Sequence, residues 1–229
     1  MKVNNLMKGI MAVSLLIFTA SCEEENESLQ GGNSGNNTQT TDTHEAVDLG
    51  LSVKWATCNV GATSPEDYGG YYAWGETEEK RGSTWDNYKY WTDSDGDGYL
   101  NYDEYTHIGD NISGTQYDVA HVKWGGGWRM PTLDEIQELV SSCTWEWGAY
   151  KGVNGIYVTG PNGNSIFLPA AGGNRYKVGS VGHYWSATLT DYYGEHIAYA
   201  YSLFFSDDDF YDDDNCLRES GYSVRAVTE

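Results

Sequence analysis

The sequence predicts an α+β domain of short, mostly antiparallel strands with one well-defined helix and long loops. Gly (28), Tyr (19) and Trp (9) are abundant, whereas Pro (4) is scarce. This composition favours many short strands over a bundle of helices. Only one stretch combines a helix start signal with apolar residues at helical spacing. The other apolar stretches are short and separated by Gly-rich turns, which indicates alternating strands and loops.

The amino terminus has the layout of a secretory signal peptide. Lys2 and Lys8 precede an apolar run at residues 9–20, which is too short to span a bilayer comfortably. Small residues then lead directly to Cys22. This order of basic, apolar and small residues is typical of a cleaved signal over residues 1–21. A Cys at the cleavage point predicts lipidation of Cys22, with ordinary cleavage nearby as the alternative.

Residues 22–44 are expected to form a lipidated and flexible linker. They contain almost no apolar side chains, so they cannot bury enough surface to offset the entropy lost on ordering. The acidic run at residues 23–25 resembles the export signal that follows the lipidated cysteine in surface lipoproteins of the Bacteroidetes group. More than one acyl chain gives stable attachment. We therefore expect a secreted, lipid-anchored protein that is exposed on the outer membrane.

The formal net charge of −21 limits the partners of the chain. An acidic surface repels phosphate backbones and anionic membrane surfaces, so we expect no binding to nucleic acid. Membrane attachment then depends on the lipid at Cys22. The charge fits solubility outside the cell, cation binding, or both.

The folded domain is predicted to cover residues 45–229. Apolar residues alternate with smaller or polar ones from Val47 to Trp55, which predicts a half-buried strand. Residues 71–74 form a second candidate. A turn at residues 160–164 (GPNGN) separates two apolar runs and predicts a β-hairpin. Strands are accordingly predicted at residues 156–158, 166–168, 184–189, 198–205 and 222–227.

The predicted helix covers about residues 132–142. Thr132 is followed three residues later by Glu135, which is the spacing of a capping box. Apolar residues then recur at helical spacing. We expect this helix to place one apolar stripe on the sheet and to carry no chemistry.

Residues 93–104 (DSDGDGYLNYDE) match the twelve-residue loop that binds calcium in EF-hands. Gly98 stands at position six, where the loop turns sharply. The flanking residues lack amphipathic helical spacing, so we expect an EF-hand-like loop with a structural role and a dissociation constant of ~10⁻⁴–10⁻³ M. The alternative is an acidic turn that matches by chance. The expected ligands are Asp93, Asp95, Asp97, Tyr99 through its carbonyl, Asn101 and Glu104.

Three cysteines remain if Cys22 is lipidated. An oxidising compartment would allow one disulfide and one spare thiol, with three possible pairings. We favour Cys58 with Cys143, because each follows sequence that resembles a core-facing strand or helix.

Five segments carry a resemblance to a known family: VDLGLSVKWATCNVG (47–61), YYAWGE (71–76), WRMPT (128–132), YWSAT (184–188) and GYSVRAV (221–227). In this order they resemble the Fibrobacter succinogenes major paralogous domain family. The resemblance covers about residues 45–229 and implies a C-type lectin-like fold, with the calcium loop as an insertion. Two features of related proteins do not carry over. The Glu-Pro-Asn or Gln-Pro-Asp motif that chelates sugars is absent, and so is the cysteine pair of copper-dependent formylglycine-generating enzymes.

Residues 189–220 are rich in Tyr, Asp and Asn. In retroelement-diversified proteins that resemble this chain, such a stretch faces the ligand, and Tyr supplies large, rigid contact area. The alternative is an acidic loop beside core strands. We expect a recognition surface from Asp191, Tyr192, Tyr193, His196, Tyr199, Tyr201, Asp212 and Asp214.

The sequence favours binding over catalysis. Its five histidines are scattered, and it contains no nucleophile elbow, phosphate-binding loop or Cys-x-x-Cys motif. We therefore expect a calcium-binding recognition module for an extracellular glycan or protein, and not an enzyme. The alternative is a structural or adhesive component of a surface assembly without a small ligand. Candidates for stacking on sugars are Trp85, Trp91, Trp145 and Trp147.

Overall fold

Small antiparallel sheets and a few helices make up the α+β arrangement that the sequence predicts. The structure is a computed structural model and describes residues 44–80, 82–173, 176–190 and 197–229. The predicted signal peptide, the lipidation site Cys22 and the linker up to residue 43 lie outside the described residues. The strands are β1 (Ala46–Val47), β2 (Lys54–Ala56), β3 (Thr144–Tyr150), β4 (Val153–Thr159), β5 (Ser165–Pro169), β6 (Gly182–Leu189), β7 (Tyr199–Phe205), β8 (Phe210–Leu217) and β9 (Val227–Thr228), and the α-helices are α1 (Val119–Trp124) and α2 (Leu133–Ser142).

Three three-stranded sheets, in the orders β1-β2-β9, β3-β4-β5 and β6-β7-β8, organise the described residues. In the first sheet, Trp55 pairs with both Val47 and Val227, so the two ends of the domain meet. The other two sheets are meanders of sequential strands. Sequential antiparallel pairing needs only short connections, and it places β6, β7 and β8 side by side in one sheet.

Helix α2 forms as predicted. Thr132 accepts a hydrogen bond from the Glu135 N–H, and the Glu135 side chain accepts one from the Thr132 N–H, which completes the capping box. Ile136 and Leu139 are buried against strands of the second and third sheets. The shorter helix α1 was not predicted. It begins at Asp118, whose buried carboxylate accepts two backbone N–H groups of the first turn.

The predicted hairpin is confirmed as β4 and β5. Gly160 N–H donates to the Asn164 carbonyl at 2.9 Å, and Gly163 adopts a φ of +86° in the turn. Gly160 is required by close packing rather than by its φ. A Cβ at this position would lie 2.0 Å from the Leu49 carbonyl oxygen, well inside van der Waals contact.

The predicted strand from Val47 to Trp55 is interrupted. Only its ends are strands, because the Asp48 side chain accepts the Gly50 N–H at 2.7 Å and turns the chain between them. Asn162 also donates to the Asp48 carbonyl at 2.8 Å. The alternation of apolar and polar residues over positions 47–55 therefore runs across a turn, and this turn is bound to the neighbouring hairpin.

Two other predicted strands are reduced to isolated bridges and one short pairing. Tyr72 forms one bridge with Tyr222, Ser223 forms another with Tyr184, and regular pairing within residues 222–227 is limited to Val227 in β9. Side chains fix these segments instead. Trp74 Nε1 donates to the Ser186 carbonyl at 3.0 Å, and Trp185 Nε1 donates to the Tyr72 carbonyl at 2.8 Å.

Strands β3 and β8 were not predicted. Strand β8 lies inside the segment that was interpreted as variable and loop-like, and its sequence FYDDDNCL lacks alternating apolar residues. Strand β8 is an edge strand that pairs only with β7, so no further strand covers its outer edge. Tertiary pairing overrides its low strand propensity.

The core consists of three clusters of buried side chains. The first surrounds Trp74, Trp128 and Trp185, and the second lies between α2 and the sheets. The third, the aromatic cluster, contains Tyr88, Trp91 and Tyr105. It lies beside the predicted calcium loop and determines how that loop joins the domain.

The predicted disulfide between Cys58 and Cys143 is absent from the structure. The two residues, like Cys216, are separate thiols. Cys143 ends helix α2 and packs against the second core cluster. Cys58 is buried close to the Arg225 guanidinium, in the segment after β2. A core-facing sequence pattern predicts that a cysteine is buried, but it does not give the distance between two thiols. The sequence could therefore not determine which cysteines pair.

Candidate functional site

Residues 93–104 leave the domain through a short antiparallel pairing. Trp91 forms a bridge with Tyr105, the Thr106 N–H donates to the Tyr90 carbonyl at 2.7 Å, and the Thr92 N–H donates to Glu104. A single 3₁₀ turn at Tyr102–Glu104 is the only helical element within the loop. The loop is therefore closed by strand-like pairing rather than by two helices, as its flanking sequence predicts.

Each of the three aspartates of the loop accepts a hydrogen bond from the backbone that follows it. Asp93 accepts the Gly98 N–H at 3.1 Å, and Asp95 and Asp97 each accept the N–H two residues further on. Gly98 adopts a φ of +74°, which an L-residue avoids. One oxygen from each of the three carboxylates lies within 4.8 Å of the others.

Glu104 at position twelve adds a fourth carboxylate. Its Oε1 accepts the N–H of Ser94 at 2.6 Å, whereas its Oε2 is buried and has no hydrogen-bond partner among the described residues. A buried carboxylate oxygen without a partner is unfavourable unless a cation or another donor satisfies it. This orphaned oxygen and the all-oxygen donor set fit a hard cation such as Ca²⁺.

The two remaining predicted ligands occupy the outer side of the loop. The side chain of Tyr99 is 74% exposed, which agrees with coordination through its carbonyl rather than its ring. Asn101 Oδ1 accepts the Asp103 N–H at 3.2 Å, and its exposed position fits a ligand that acts through water. The structure therefore brings the carboxylates of Asp93, Asp95 and Asp97 together, and the other three predicted ligands stay a prediction.

Buried charges fix the base of the loop to the domain. The Arg218 guanidinium donates to the Thr106 carbonyl at 3.0 Å and lies 4.9 Å above the Trp74 ring. The Tyr105 hydroxyl donates to Glu219 at 2.7 Å, and burial, together with this carboxylate, raises the pKa of Tyr105. The base of the loop is therefore held by buried hydrogen bonds and aromatic contacts.

Those predicted recognition residues that the structure describes do not all lie on one face of the sheet. Tyr201 pairs with Asn215, while Asp214 pairs with Ser202 on the opposite face of the sheet. Tyr199 contacts the Tyr102 ring of the calcium loop at 5.7 Å. Asp212 is half-buried on β8. The others lie outside the described residues: Asp191, Tyr192, Tyr193 and His196.

A cleft of about 380 Å³, which the sequence did not indicate, lies near the calcium loop. The Tyr90 and Tyr117 rings meet edge to face at 5.6 Å on its wall. Glu76 is buried there and accepts both the Lys89 N–H and the Lys80 ammonium at 2.7 Å. Side chains that line the cleft include Glu76, Glu78, Lys89, Tyr90, Gln116 and Tyr117.

The cleft and the loop share Tyr90. Its ring contributes to the cleft, and its carbonyl accepts the hydrogen bond that closes the base of the loop. Of the tryptophans proposed for sugar stacking, Trp91 is buried and donates to the Asn101 carbonyl, and Trp145 stacks on Phe210. Trp85 packs edge to face on Trp91, and Trp147 on Phe205, so none of the four tryptophans lies in the cleft.

No protein-family model matches the chain, and neither a curated protein nor a solved structure is significantly similar to it. Among the residues that the structure describes, no helix is long and apolar enough to cross a membrane.

Proposed function

We propose that this chain is a calcium-dependent recognition module of a cell-surface lipoprotein, with an extracellular glycan or protein as its ligand. One observation carries the proposal. Three aspartate carboxylates converge in a loop whose fourth carboxylate, Glu104, holds a buried oxygen without a partner. Oxygen donors at this spacing are the ligands that Ca²⁺ prefers.

Calcium, when bound, supplies a hard cation that neutralises the carboxylates of the loop. The residues that hold it are the six oxygen donors between positions 93 and 104. They connect the first residue of the loop with the last, so binding stabilises the pairing between Trp91 and Tyr105 at its base. The role is structural, and no catalytic step is proposed.

The ligand of the module binds in the cleft beside Tyr90. Aromatic faces with a few polar groups around them suit the apolar and hydroxyl faces of a sugar. Here Tyr90 and Tyr117 supply the faces, while Gln116 and Glu78 supply the polar groups. Calcium acts on this cleft indirectly, through the backbone of Tyr90.

We further propose that the domain has the C-type lectin-like fold and belongs to the Fibrobacter succinogenes major paralogous domain family. Small antiparallel sheets, few helices and long loops support the fold. The proposal of a lipid anchor and outer-membrane exposure is supported by the sequence around Cys22 alone.

Calorimetric titration of the purified chain with Ca²⁺ tests the loop. Wild type should bind one ion, with a dissociation constant of ~10⁻⁴–10⁻³ M. Glu104→Gln should weaken binding more than about tenfold, because it removes the bidentate carboxylate. Asp103→Asn is the matched control, since it removes the same charge from a residue that is not a ligand. Equal loss in both variants would mean that general charge, rather than coordination, attracts the ion.

A glycan array with and without Ca²⁺ tests the cleft. Wild type should bind a glycan more strongly in calcium, and Tyr90→Ala should abolish that binding while calcium binding persists. Calcium-dependent stability with no glycan bound, but with capture of a defined surface protein, would favour the structural or adhesive alternative. Neither kind of ligand in calcium would contradict the recognition proposal.

A further inference from the structure

A second group of metal-ligating side chains lies far along the chain from the calcium loop, on the sheet β6-β7-β8. His183 lies on β6, while Asp214 and Cys216 lie on β8. The register places Phe204 opposite His183 and Ser202 opposite Asp214. Paired residues share a face of a sheet, and residues two apart along a strand share it too. All three side chains therefore meet on one face, across strand β7.

The distances within this group match those between ligands of one metal ion. His183 Nδ1 lies 3.6 Å from Asp214 Oδ2, and Cys216 Sγ lies 3.3 Å from the same oxygen. The three ligand atoms all lie within 4.8 Å of one another. Bonds of ~2.0–2.3 Å in a tetrahedral zinc site place neighbouring ligand atoms roughly 3.3–3.7 Å apart. Little rearrangement is needed to admit an ion.

The imidazole of His183 is buried without a polar partner among the described residues. The residue is 1% exposed, and within this part of the chain neither ring nitrogen has a hydrogen-bond partner. The ring stacks on Tyr222 at 4.5 Å and lies 4.9 Å from Phe204. Buried polar atoms are normally satisfied, so an imidazole with two unpartnered nitrogens beside a thiol and a carboxylate indicates a missing ligand.

A nucleophilic cysteine is a weaker explanation of the same group. Burial raises the pKa of Cys216 to about 12, and burial lowers the pKa of His183 to about 4. Burial of both groups disfavours the thiolate–imidazolium pair of a reactive cysteine.

We propose that His183, Asp214 and Cys216 form a site for a borderline transition-metal ion, with Zn²⁺ as the representative ion. Nitrogen, oxygen and sulfur donors select such an ion over Ca²⁺, which takes oxygen ligands. The thiol proton of Cys216 passes to solvent as the sulfur coordinates the ion. Asp214 is 36% exposed, so the fourth position faces solvent, where a water molecule or an external donor completes the coordination.

The test uses Co²⁺ as a spectroscopic probe of the reduced, full-length chain, with Ca²⁺ present in excess to occupy the calcium loop. Wild type should bind one Co²⁺ with a thiolate-to-cobalt charge-transfer band and tetrahedral ligand-field bands, and Zn²⁺ should abolish both. Cys216→Ser should lose the charge-transfer band. Cys143→Ser is the matched control, since it removes a thiol outside the group and should keep the band.

Asp214→Asn keeps the test decisive if Cys216→Ser does not fold, because Asp214 is half-buried and its amide has nearly the same shape. It should weaken Co²⁺ binding more than about tenfold with an unchanged circular dichroism spectrum. Three results would each overturn the site: no charge-transfer band in wild type, a band that persists in Cys216→Ser, or a band that disappears in Cys143→Ser.

Discussion

Arg225 is a buried cation that joins separate parts of the backbone. Its Nε donates to Asn59 Oδ1 at 2.9 Å, and its Nη1 donates to the carbonyls of Ala56 and Thr57 at 3.0 and 2.9 Å. Its Nη2 donates to the Phe167 carbonyl at 3.0 Å. One side chain thus connects the segment around β2, the hairpin strand β5 and the segment that leads to β9.

Replacing Arg225 with methionine should destabilise the domain by about 4 kcal/mol. The substitution keeps most of the apolar stem but removes the donor from three buried acceptors and one part-buried acceptor. At ~2 kcal/mol for each buried acceptor and ~1 kcal/mol for the other, the cost is about 7 kcal/mol in total. The guanidinium no longer loses its hydration on folding, and this gain offsets about half of that cost. For a domain of this size, the net loss corresponds to a fall of about 8–16 °C in Tm.

Urea unfolding followed by circular dichroism, together with calorimetry, measures this loss. Lys177→Met is the control, because it removes the same charge from an exposed side chain and should change stability by less than about 0.5 kcal/mol. Arg225→Lys should fall between the two, since an ammonium group has three donors for four acceptors. If Arg225→Met lies within about 1 kcal/mol of wild type, the hydrogen bonds of Arg225 only balance its desolvation, and the reasoning is refuted.

Three further predictions concern other parts of the domain. Burial alone would raise the pKa of Glu135, but hydrogen bonds from Arg129 outweigh it and hold the pKa below its ordinary value of 4.5. The contribution of Glu135 to stability is therefore present above pH 4.5 and is lost as the pH falls further. Glu135→Gln should accordingly flatten the acid limb of a stability–pH curve. Gly160→Ala should cost more than about 3 kcal/mol in urea unfolding, because its Cβ would overlap the Leu49 carbonyl. Calcium at a hundredfold excess over its dissociation constant should stabilise wild type by ~2.7 kcal/mol in calorimetry, but not Glu104→Gln.

Each of these predictions has a control in the chain. Asp134→Asn removes an exposed charge from the same helical turn as Glu135 and should leave the acid limb unchanged. Gly163→Ala places its Cβ in open space, so it should cost only the strain of its positive φ. Asp103→Asn should retain stabilisation by calcium. Equal effects in a variant and its control would contradict the corresponding argument.

The parts of the fold that the sequence predicts correctly depend on local signals. Helix α2 follows from the capping box between Thr132 and Glu135, and the β4–β5 hairpin follows from its Gly-rich turn. The strand over residues 47–55 is wrong in its middle, because the Asp48 side chain competes with strand pairing for the Gly50 N–H. Strand β8 was missed, since its acidic sequence forms a strand only where β7 supplies a partner.

The same distinction explains which site residues sequence reasoning found. The calcium loop is contiguous, so its spacing alone brings the donors together. The cleft joins Tyr90 with Tyr117, and the proposed zinc group joins His183 with Cys216. Both contacts depend on tertiary packing or strand register, which a single sequence does not reveal. The sequence around His183 contains no metal-binding motif. Asp214 was assigned to a recognition surface because it lies in the Tyr-, Asp- and Asn-rich segment that resembles a ligand-facing stretch.

The two proposed metal sites are physically connected, but we expect them to act independently. Strand β8 carries Asp214 and Cys216 and leads directly to Arg218, which binds the Thr106 carbonyl at the base of the calcium loop. Energetic coupling requires an element with two alternative arrangements. Arg218 is fully buried and packs over the rings of the aromatic cluster, so it connects the sites rigidly rather than as a switch. Stabilisation by Ca²⁺ and by Zn²⁺ should therefore add within about 0.5 kcal/mol in thermal unfolding, whereas a larger deviation would show that Arg218 transmits a change of state between them.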